Sequence, residues 1–439
     1  MSRTLSVFEH QRLPVTEVGF GLRPHEFDVL VRFNDAHRGE YFQVGHKHLR
    51  TRSFVGYVEV GDLAIEILPK ADRDAPPAET MWRDGLLEML RIALGLRLQR
   101  LPGAGQKLTR LRLLDLIARA YLAELAPLLH EGLAKGYRTT QSNGAVFRGR
   151  LKISEHLREN IARADRFFVQ YQTFDHDIAL NRVLAAALEA LSWCALSPGV
   201  ACEVDACLAR FPEIGAGAVT STMADRIRLT RATQRYANAL LYARMILAQQ
   251  GPHLRAGHER VFALLFDMNA LWERYIATLL RRAAPRGLEV HAQERHVFWT
   301  PEHHGARQVR PDIVVRAEAR EVRGPAVLVI DTKWKVPPKG LPSDDDLKQM
   351  FVYNELLGAP RSMLLYPQTS TSSTVAGAYA TKPHSCEQYH IGLSDGRTWS
   401  TSPSCSRGWL ERYPARHQGE WADYLSRPCS LRSGVKMLS

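Results

Sequence analysis

Three side chains late in the chain could share one reaction centre: Asp312, Asp331 and Lys333, in the string Pro311-Asp312-x18-Asp331-Thr332-Lys333. The run Val327-Leu328-Val329-Ile330 is as apolar as a buried strand, yet it leads straight into an acid and a base two positions apart. In a strand, those two side chains share a face. Residues 312–319 read as a second strand, and an antiparallel hairpin centred near 321–322 sets Asp312 opposite Asp331. Cross-strand neighbours have Cβ atoms roughly 4.5–5.5 Å apart. Two carboxylates that close repel each other unless a cation lies between them, the arrangement a hard divalent metal needs. Lys333 reaches the same volume, where it could orient or deprotonate a water, or stabilise charge building on a phosphate. A metal there would lower the pKa of a bound water and polarise a phosphodiester.

Two helices should flank this pair. "FALLFDMNALWERYIATLLRRA" (262–283) carries Met268, Leu271, Trp272, Tyr275 and Leu279 as its core stripe. Glu273 projects to one side, either as a further metal ligand or as a solvent-facing acid paired with Arg274 or Arg281. After Lys333, "DDDLKQMFVYNELLGA" (344–359) predicts a helix with Gln349 and Tyr353 one turn apart on one face. The string matches the PD-(D/E)xK nuclease signature, which alone is weak because its short pairs recur by chance. The RecB-like branch of that superfamily follows its catalytic strand with a Gln-x-x-x-Tyr helix. The four elements in this order are far more specific than any one of them.

Around that region the chain divides by pattern into a multidomain α/β protein. Residues 1–75 read as a β-rich module, with Gly61-Asp62 as a hairpin turn and "ADRDAPP" (71–77) as a linker. Residues 76–255 form a mainly helical middle region, with helices over 151–163, 178–195, 201–211 and 222–250. It contains a short β-hairpin around Asn143-Gly144. Residues 256–395 alternate helices and strands as an αβ domain. The tail 396–439 is rich in Ser, Arg and Pro and is given no structure.

The 439 residues carry a formal net charge of +12, from 58 basic and 46 acidic side chains, which favours a polyanionic partner. No run of about 18 apolar residues occurs, and the N-terminus lacks the apolar core of a signal peptide. The six cysteines, at 194, 202, 207, 386, 405 and 429, form no C-x-x-C pair. A reducing, cytoplasmic setting follows, without a zinc site or disulfide framework. "PGAGQKLTR" (102–110) has the wrong spacing for a phosphate-binding loop, so this chain binds no nucleotide itself and any motor comes from another chain.

Arg148, Arg150, Lys152, Arg158, Arg163 and Arg166 cluster among Phe147, Phe167 and Phe168. They fit either a DNA-backbone contact or a solvated helix face over buried phenylalanines. Asp177 reads as an N-cap, with Asn181 and Arg182 serving inter-helix packing. His303 and His304 have no third ligand nearby and read as surface residues.

"LLFDMNALWERYI", "RPDIVV", "VLVIDTKWK", "DLKQMFVYNELL" and "SMLLYPQ" together resemble the nuclease domain of the McrC family. "SFVGYVEVGDLAIEILPKAD", "VFRGRLKISEHLREN" and "YQTFDHDIALNRVLAAALEAL" extend the resemblance upstream, to about residues 40–368. It implies a C-terminal restriction-endonuclease-like domain in the cleavage subunit of a McrBC-type system acting on DNA that carries 5-methylcytosine. It also implies a separate McrB-like AAA+ GTPase hexamer, which the N-terminal module docks on and stimulates. The family's catalytic pattern falls on Asp312, Asp331 and Lys333, with Glu273 and Gln349 in support. The implied cofactor is Mg2+, for which Mn2+ could substitute, and Asp312, Asp331 and Glu273 would hold it. Arg148, Arg150, Lys152 and Tyr353 are the candidate DNA contacts. A double-strand cut by a one-site enzyme would need two copies of the chain. Two other readings stand beside this one: a non-catalytic adaptor that activates a AAA+ motor on DNA, and an autonomous repair-type nuclease.

Overall fold

The computed structural model describes residues 3–17, 19–70, 79–97, 113–212, 214–215, 219–248, 261–302, 304–318, 324–337, 340–368 and 374–391. The tail, the 71–77 linker, the 102–110 loop, the 321–323 turn and His303 lie outside them.

In the N-terminal part, Phe54–Val60 and Leu63–Leu68 pair as a hairpin, with Val60 opposite Leu63 and Gly61 at φ +56° in the two-residue turn. Arg3–Phe8 adds in parallel to Leu63–Leu68. The fourth strand, Val261–Asp267, arrives from far along the chain and runs antiparallel to Phe54–Val60. Their backbones approach closely at Gly56, where a Cβ would lie 2.0 Å from the Leu264 carbonyl oxygen.

This pairing corrects the expected helix over 262–283. Helix begins only at Met268 and runs to Ala283, and Asp267 caps it by accepting the Asn269 N–H at 2.9 Å. A short apolar run does not distinguish strand from helix by periodicity, and here an available sheet edge decides for strand. Within the helix Ile276 and Leu280 are buried, whereas Leu279 is only partly so. The N-terminal part also holds a helix that the β-rich reading lacks, Pro24–Ala36, whose Pro24 occupies the first turn where no N–H is needed.

The middle region packs Glu79–Leu94, Leu113–Glu131, Ala179–Ser192, Pro198–Leu208 and Ala237–Leu247 into one apolar core. The expected helix 222–250 is interrupted, with Ser221–Arg226 and a 3-10 turn at Arg231–Tyr236 preceding Ala237–Leu247. The expected hairpin around Asn143-Gly144 is also corrected. Gly136–Gly144 and Arg150–Leu151 do not pair with each other but flank a third strand, Phe167–Asp175. Asp177 does not cap the following helix, whose N-cap is Ile178. Its carboxylate instead takes two bonds from Arg182, at 2.6 and 2.9 Å, a stronger use of a nearly buried acid.

The largest sheet orders its six strands Leu288–Ala292, Ile313–Ala317, Ala326–Thr332, Arg361–Pro367, Ser385–Ile391 and Val375–Ala378. The two outer pairs are antiparallel, as is Ile313–Ala317 with Ala326–Thr332, and the central pairs are parallel. Period-2 alternation sends Ile313, Val315, Leu328, Ile330, Met363 and Leu365 into the core shared with helix Met268–Ala283. Val314, Val329, Leu364 and Tyr366 face the opposite way, onto Met350 and Tyr353 of helix Asp344–Leu357. Each such aliphatic side chain contributes about 1.5–3 kcal/mol by leaving water, so both faces resist slippage of the strands. The described cysteines 194, 202, 207 and 386 are free thiols. No helix among the described residues is long and apolar enough to cross a membrane.

Candidate active site

The sheet register decides which side chains meet. Ile313 lies opposite Ile330, so the next pair outward is Asp312 and Asp331, at the end where Ala326–Thr332 leaves the sheet. Parity puts Asp312, Asp331 and Lys333 on the face of Val314 and Val329, toward helix Asp344–Leu357. A bulge between Val315 and Arg316 lies farther along the pair and leaves this end in register.

Each group is then pinned. Asp312 Oδ2 accepts the Thr332 N–H at 2.8 Å and the Thr332 hydroxyl at 2.9 Å. Asp331, only 3% exposed, turns Oδ2 to Lys333 Nζ at 2.7 Å. The Lys333 ammonium also reaches Asp346 Oδ1 at 3.2 Å and donates to Gln349 Oε1 at 3.1 Å. The Gln349 amide is used at both ends, because its Nε2 donates to the Tyr353 hydroxyl at 2.8 Å. Asp346 sits in the first turn of its helix, where Ser343 caps by accepting its N–H and the helix dipole favours an acid. Its other oxygen receives Lys335 at 2.8 Å. Glu273 is half-buried and accepts the Gln293 side-chain amide.

Burial dominates the electrostatics of the acids. It raises the carboxyl of Asp331, with further push from Asp312 against the pull of Lys333, to a pKa of about 6. Burial likewise raises Asp312, where Glu273 adds repulsion and the Thr332 bonds oppose it. Burial raises Glu273, which Gln293 and Arg310 pull down and Asp331 pushes up. For Lys333, burial works to lower the pKa, but Asp331 and Asp346 outweigh it and hold the ammonium above its ordinary value. Burial also opposes the charge of Asp346, yet Lys335, Ser343 and Lys333 carry its carboxyl below the usual range. Three acids thus sense one another around a single close lysine, an excess of partly buried negative charge that a cation would relieve.

Whether the residues suit a metal turns on their donors. Asp312 commits one oxygen to Thr332 and Asp331 one to Lys333, which leaves a second oxygen on each. Among the described residues, no three His, Cys, Asp or Glu side chains close into a cage. The pair Asp312 and Asp331 is thus the donor set present, and two carboxylates are a number from which Mg2+ can be held when waters and phosphate oxygens complete its octahedron.

The structure therefore brings together Asp312, Asp331, Lys333, Glu273, Gln349 and Tyr353. Arg148, Arg150 and Lys152 lie elsewhere, in and beside the short strand Arg150–Leu151 of the middle region's three-stranded sheet. There the Arg148 guanidinium stacks 3.7 Å from the ring centre of Tyr171, and Lys152 pairs with Glu155 at 3.2 Å. Phe147, read as buried under one alternative, is 57% exposed. His304 is exposed, in agreement with a surface role. Sequence reasoning missed Asp346, Lys335, Thr332, Gln293 and Arg310. Asp346 had a readable signal, since the third acid of a Ser-Asp-Asp-Asp helix start must face some neighbour. Gln293 had none: its backbone takes φ +59° and its N–H donates to the Asp312 carbonyl at 2.9 Å.

Scaffold and centre define a mixed α/β protein with an acid-and-lysine cluster at the strand ends of its largest sheet. The chain belongs to the McrBC family: the family model described as McrBC 5-methylcytosine restriction system component matches residues 49–367, more than half its length. A solved structure described as a refined half-complex from a tetradecameric assembly of Thermococcus gammatolerans McrB AAA+ hexamers with bound McrC shares the fold. Its TM-score is 0.66 at 18% identity, over 94% of this chain and 100% of that one. A cryo-EM structure of the Thermococcus gammatolerans McrBC complex matches at TM-score 0.47 and 19% identity, over 65% of this chain and 89% of that one. No curated protein gives a significant match.

Proposed function

We propose that this chain is the DNA-cleaving component of a McrBC-type, modification-dependent restriction system, a Mg2+-dependent endonuclease with a PD-(D/E)xK domain. The observation that carries the reading is the opposed pair of half-buried Asp312 and buried Asp331, with Lys333 held 2.7 Å from Asp331. Asp312 and Asp331 supply the anionic oxygens for the ion, while Glu273, expected as a third ligand, does not close a three-acid set with them among the described residues and flanks the site on Gln293. Once bound, Mg2+ would supply Lewis-acid polarisation of the phosphodiester and a more acidic water. Lys333 is held charged, so near neutral pH it acts as a donor, orienting the attacking water or meeting charge that develops on the phosphate. Gln349 and Asp346 fix its position, and Tyr353 fixes Gln349. The sheet end is preorganised, so little rearrangement is needed as charge develops.

The proposed partner is a AAA+ GTPase hexamer of the McrB type, a reading supported by family membership and by the assembly in which the fold neighbour sits. The test is cleavage of long methylated and unmethylated duplex DNA by wild type and Lys333→Ala, with Mg2+ or EDTA. Each is run with and without the partner GTPase and GTP. Cutting that needs metal, Lys333 and partner together supports the reading. Stimulated GTP hydrolysis without cutting in any condition sinks the catalytic claim and leaves an adaptor.

A further inference from the structure

Between Gln293 and Asp312, both at the centre, the chain makes an excursion that the mechanism above does not use. Among the described residues, strands His296–Trp299 and Arg307–Val309 pair only with each other, as a two-stranded ribbon. Three consecutive residues on it, Val297, Phe298 and Trp299, are 53%, 53% and 57% exposed. The register shifts between Val297 and Trp299, so an irregularity at Phe298 breaks the regular alternation of faces beside Trp299, and all three side chains stand in solvent. An exposed aromatic pair on a projecting ribbon marks an interaction surface more often than a stray apolar residue does.

The base of this ribbon is rigid. Glu294, 8% exposed, receives Arg316 of the large sheet at 2.8 Å and lies 3.1 Å from His296 Nε2. The Gln293 N–H bonds the Asp312 carbonyl at 2.9 Å, which ties the ribbon's first leg to a catalytic-centre residue. Its flanks are basic. Arg295, Arg307 and Arg310 are exposed, against one exposed acid among the described residues of the ribbon, Glu302. A two-fold contact between copies would set these same arginines against one another, because an isologous surface meets itself. A phosphate backbone complements them.

We propose that this ribbon is a wedge for duplex DNA: Phe298 and Trp299 enter the base stack beside the bond to be cut, while Arg295, Arg307 and Arg310 hold the flanking phosphates. Apolar and aromatic side chains inserted in this way unstack a base step and bend the duplex, and basic neighbours neutralise the phosphates on either side. The placement beside the scissile bond rests on the nuclease reading of the centre.

The experiment uses the full-length chain in the Lys333→Ala background, so that binding is read without cutting. Duplexes carry 2-aminopurine at successive positions, and the ribbon variant is Phe298→Ala with Trp299→Ala. The expected result is a rise in 2-aminopurine fluorescence at one step that the double variant abolishes, with DNA affinity about tenfold or more weaker. Its melting temperature should match that of the parent, since both side chains are exposed. Arg295→Gln with Arg307→Gln should keep the fluorescence signal and flatten the salt dependence of binding by about one unit of slope per arginine. Unchanged affinity and fluorescence in the double variant overturn the proposal. So does a dimer that dissociates in that variant with DNA affinity per protomer preserved, which would give the surface to a second copy. A wild type that cuts under no condition sinks the nuclease reading and leaves the ribbon result standing.

Discussion

The strand-end centre and the small three-stranded sheet of the middle region both gather charged side chains, in opposite ways. At the centre, acids from three stretches of chain are buried or half-buried, mutually repelling and held by named donors. By the small sheet, Arg148 and Arg150 are exposed and Lys152 half-exposed, and Arg148 and Lys152 have local partners in Tyr171 and Glu155. Exposed charge costs little, so its presence says little about chemistry. Buried like charge raises the free energy of the folded chain and persists where something offsets it. The contrast supports placing the proposed reaction centre at the strand end rather than on the small sheet.

Four changes, the first set beside a control double variant, test that contrast. The largest effect is expected at Lys333→Ala, where cleavage should fall roughly 10²–10³-fold, as when one preorganised donor is removed. Arg150→Gln with Lys152→Gln should cost less than about tenfold, and an equal loss from the two changes would end the distinction. Asp346→Asn comes next. It removes one of the two acids that hold Lys333, so activity should drop roughly ten- to a hundredfold through misplacement. The basic limb of the pH–rate profile should also move to lower pH, because the ammonium loses charge more easily. A profile that falls without shifting would make Asp346 merely structural.

The third change concerns stability without metal. Asp331 has a folded pKa of about 6, above its ordinary value, so its contribution is complete at low pH and is lost as pH rises through about 6. Asp331→Asn should therefore stabilise the metal-free protein at pH 7 by about 1–3 kcal/mol, and the gain should vanish near pH 4. Thermal melts of both proteins across that range check it, and a destabilised variant at pH 7 would refute the buried-repulsion account. The smallest effect is expected on the small sheet. Arg148→Ala should lower stability by about 0.5–1 kcal/mol, the usual size of an exposed cation–π contact. Denaturant titration reads it.

Much of the centre is legible in the sequence. Counting the register outward from the two strands places Asp312 opposite Asp331, and helical spacing joins Gln349 to Tyr353, because both rules are local and periodic. Asp346 and Gln293 escape, since their roles depend on where a helix start and a loop land after packing. The fold divides in the same manner. The hairpin at Gly61-Asp62 follows from turn chemistry, whereas Val261–Asp267 reads as helix because its partner, Phe54–Val60, lies far away in the chain. Two strands near Asn143-Gly144 are legible, although these two residues end the first strand rather than form the turn, and the intervening partner Phe167–Asp175 is not, as cross-strand pairing at that separation leaves no local mark.

Trp334 follows the reactive lysine directly, and its indole N–H donates to Glu9 Oε1 at 2.6 Å, across 325 positions of sequence. The ring lies 5.2 Å from Trp272 and 6.5 Å from Trp82, so one residue from each of three stretches of chain surrounds the step after Lys333. A gene fragment encoding residues 256–395 would strand this indole without its acceptor and Val261–Asp267 without the strand it completes. Shuffling of parts is therefore discouraged here: the stretch that holds Glu9 and Phe54–Val60 has to be inherited with the stretch that holds Val261–Asp267 and Trp334, and an engineer who wants the large sheet must carry the earlier strands along with it.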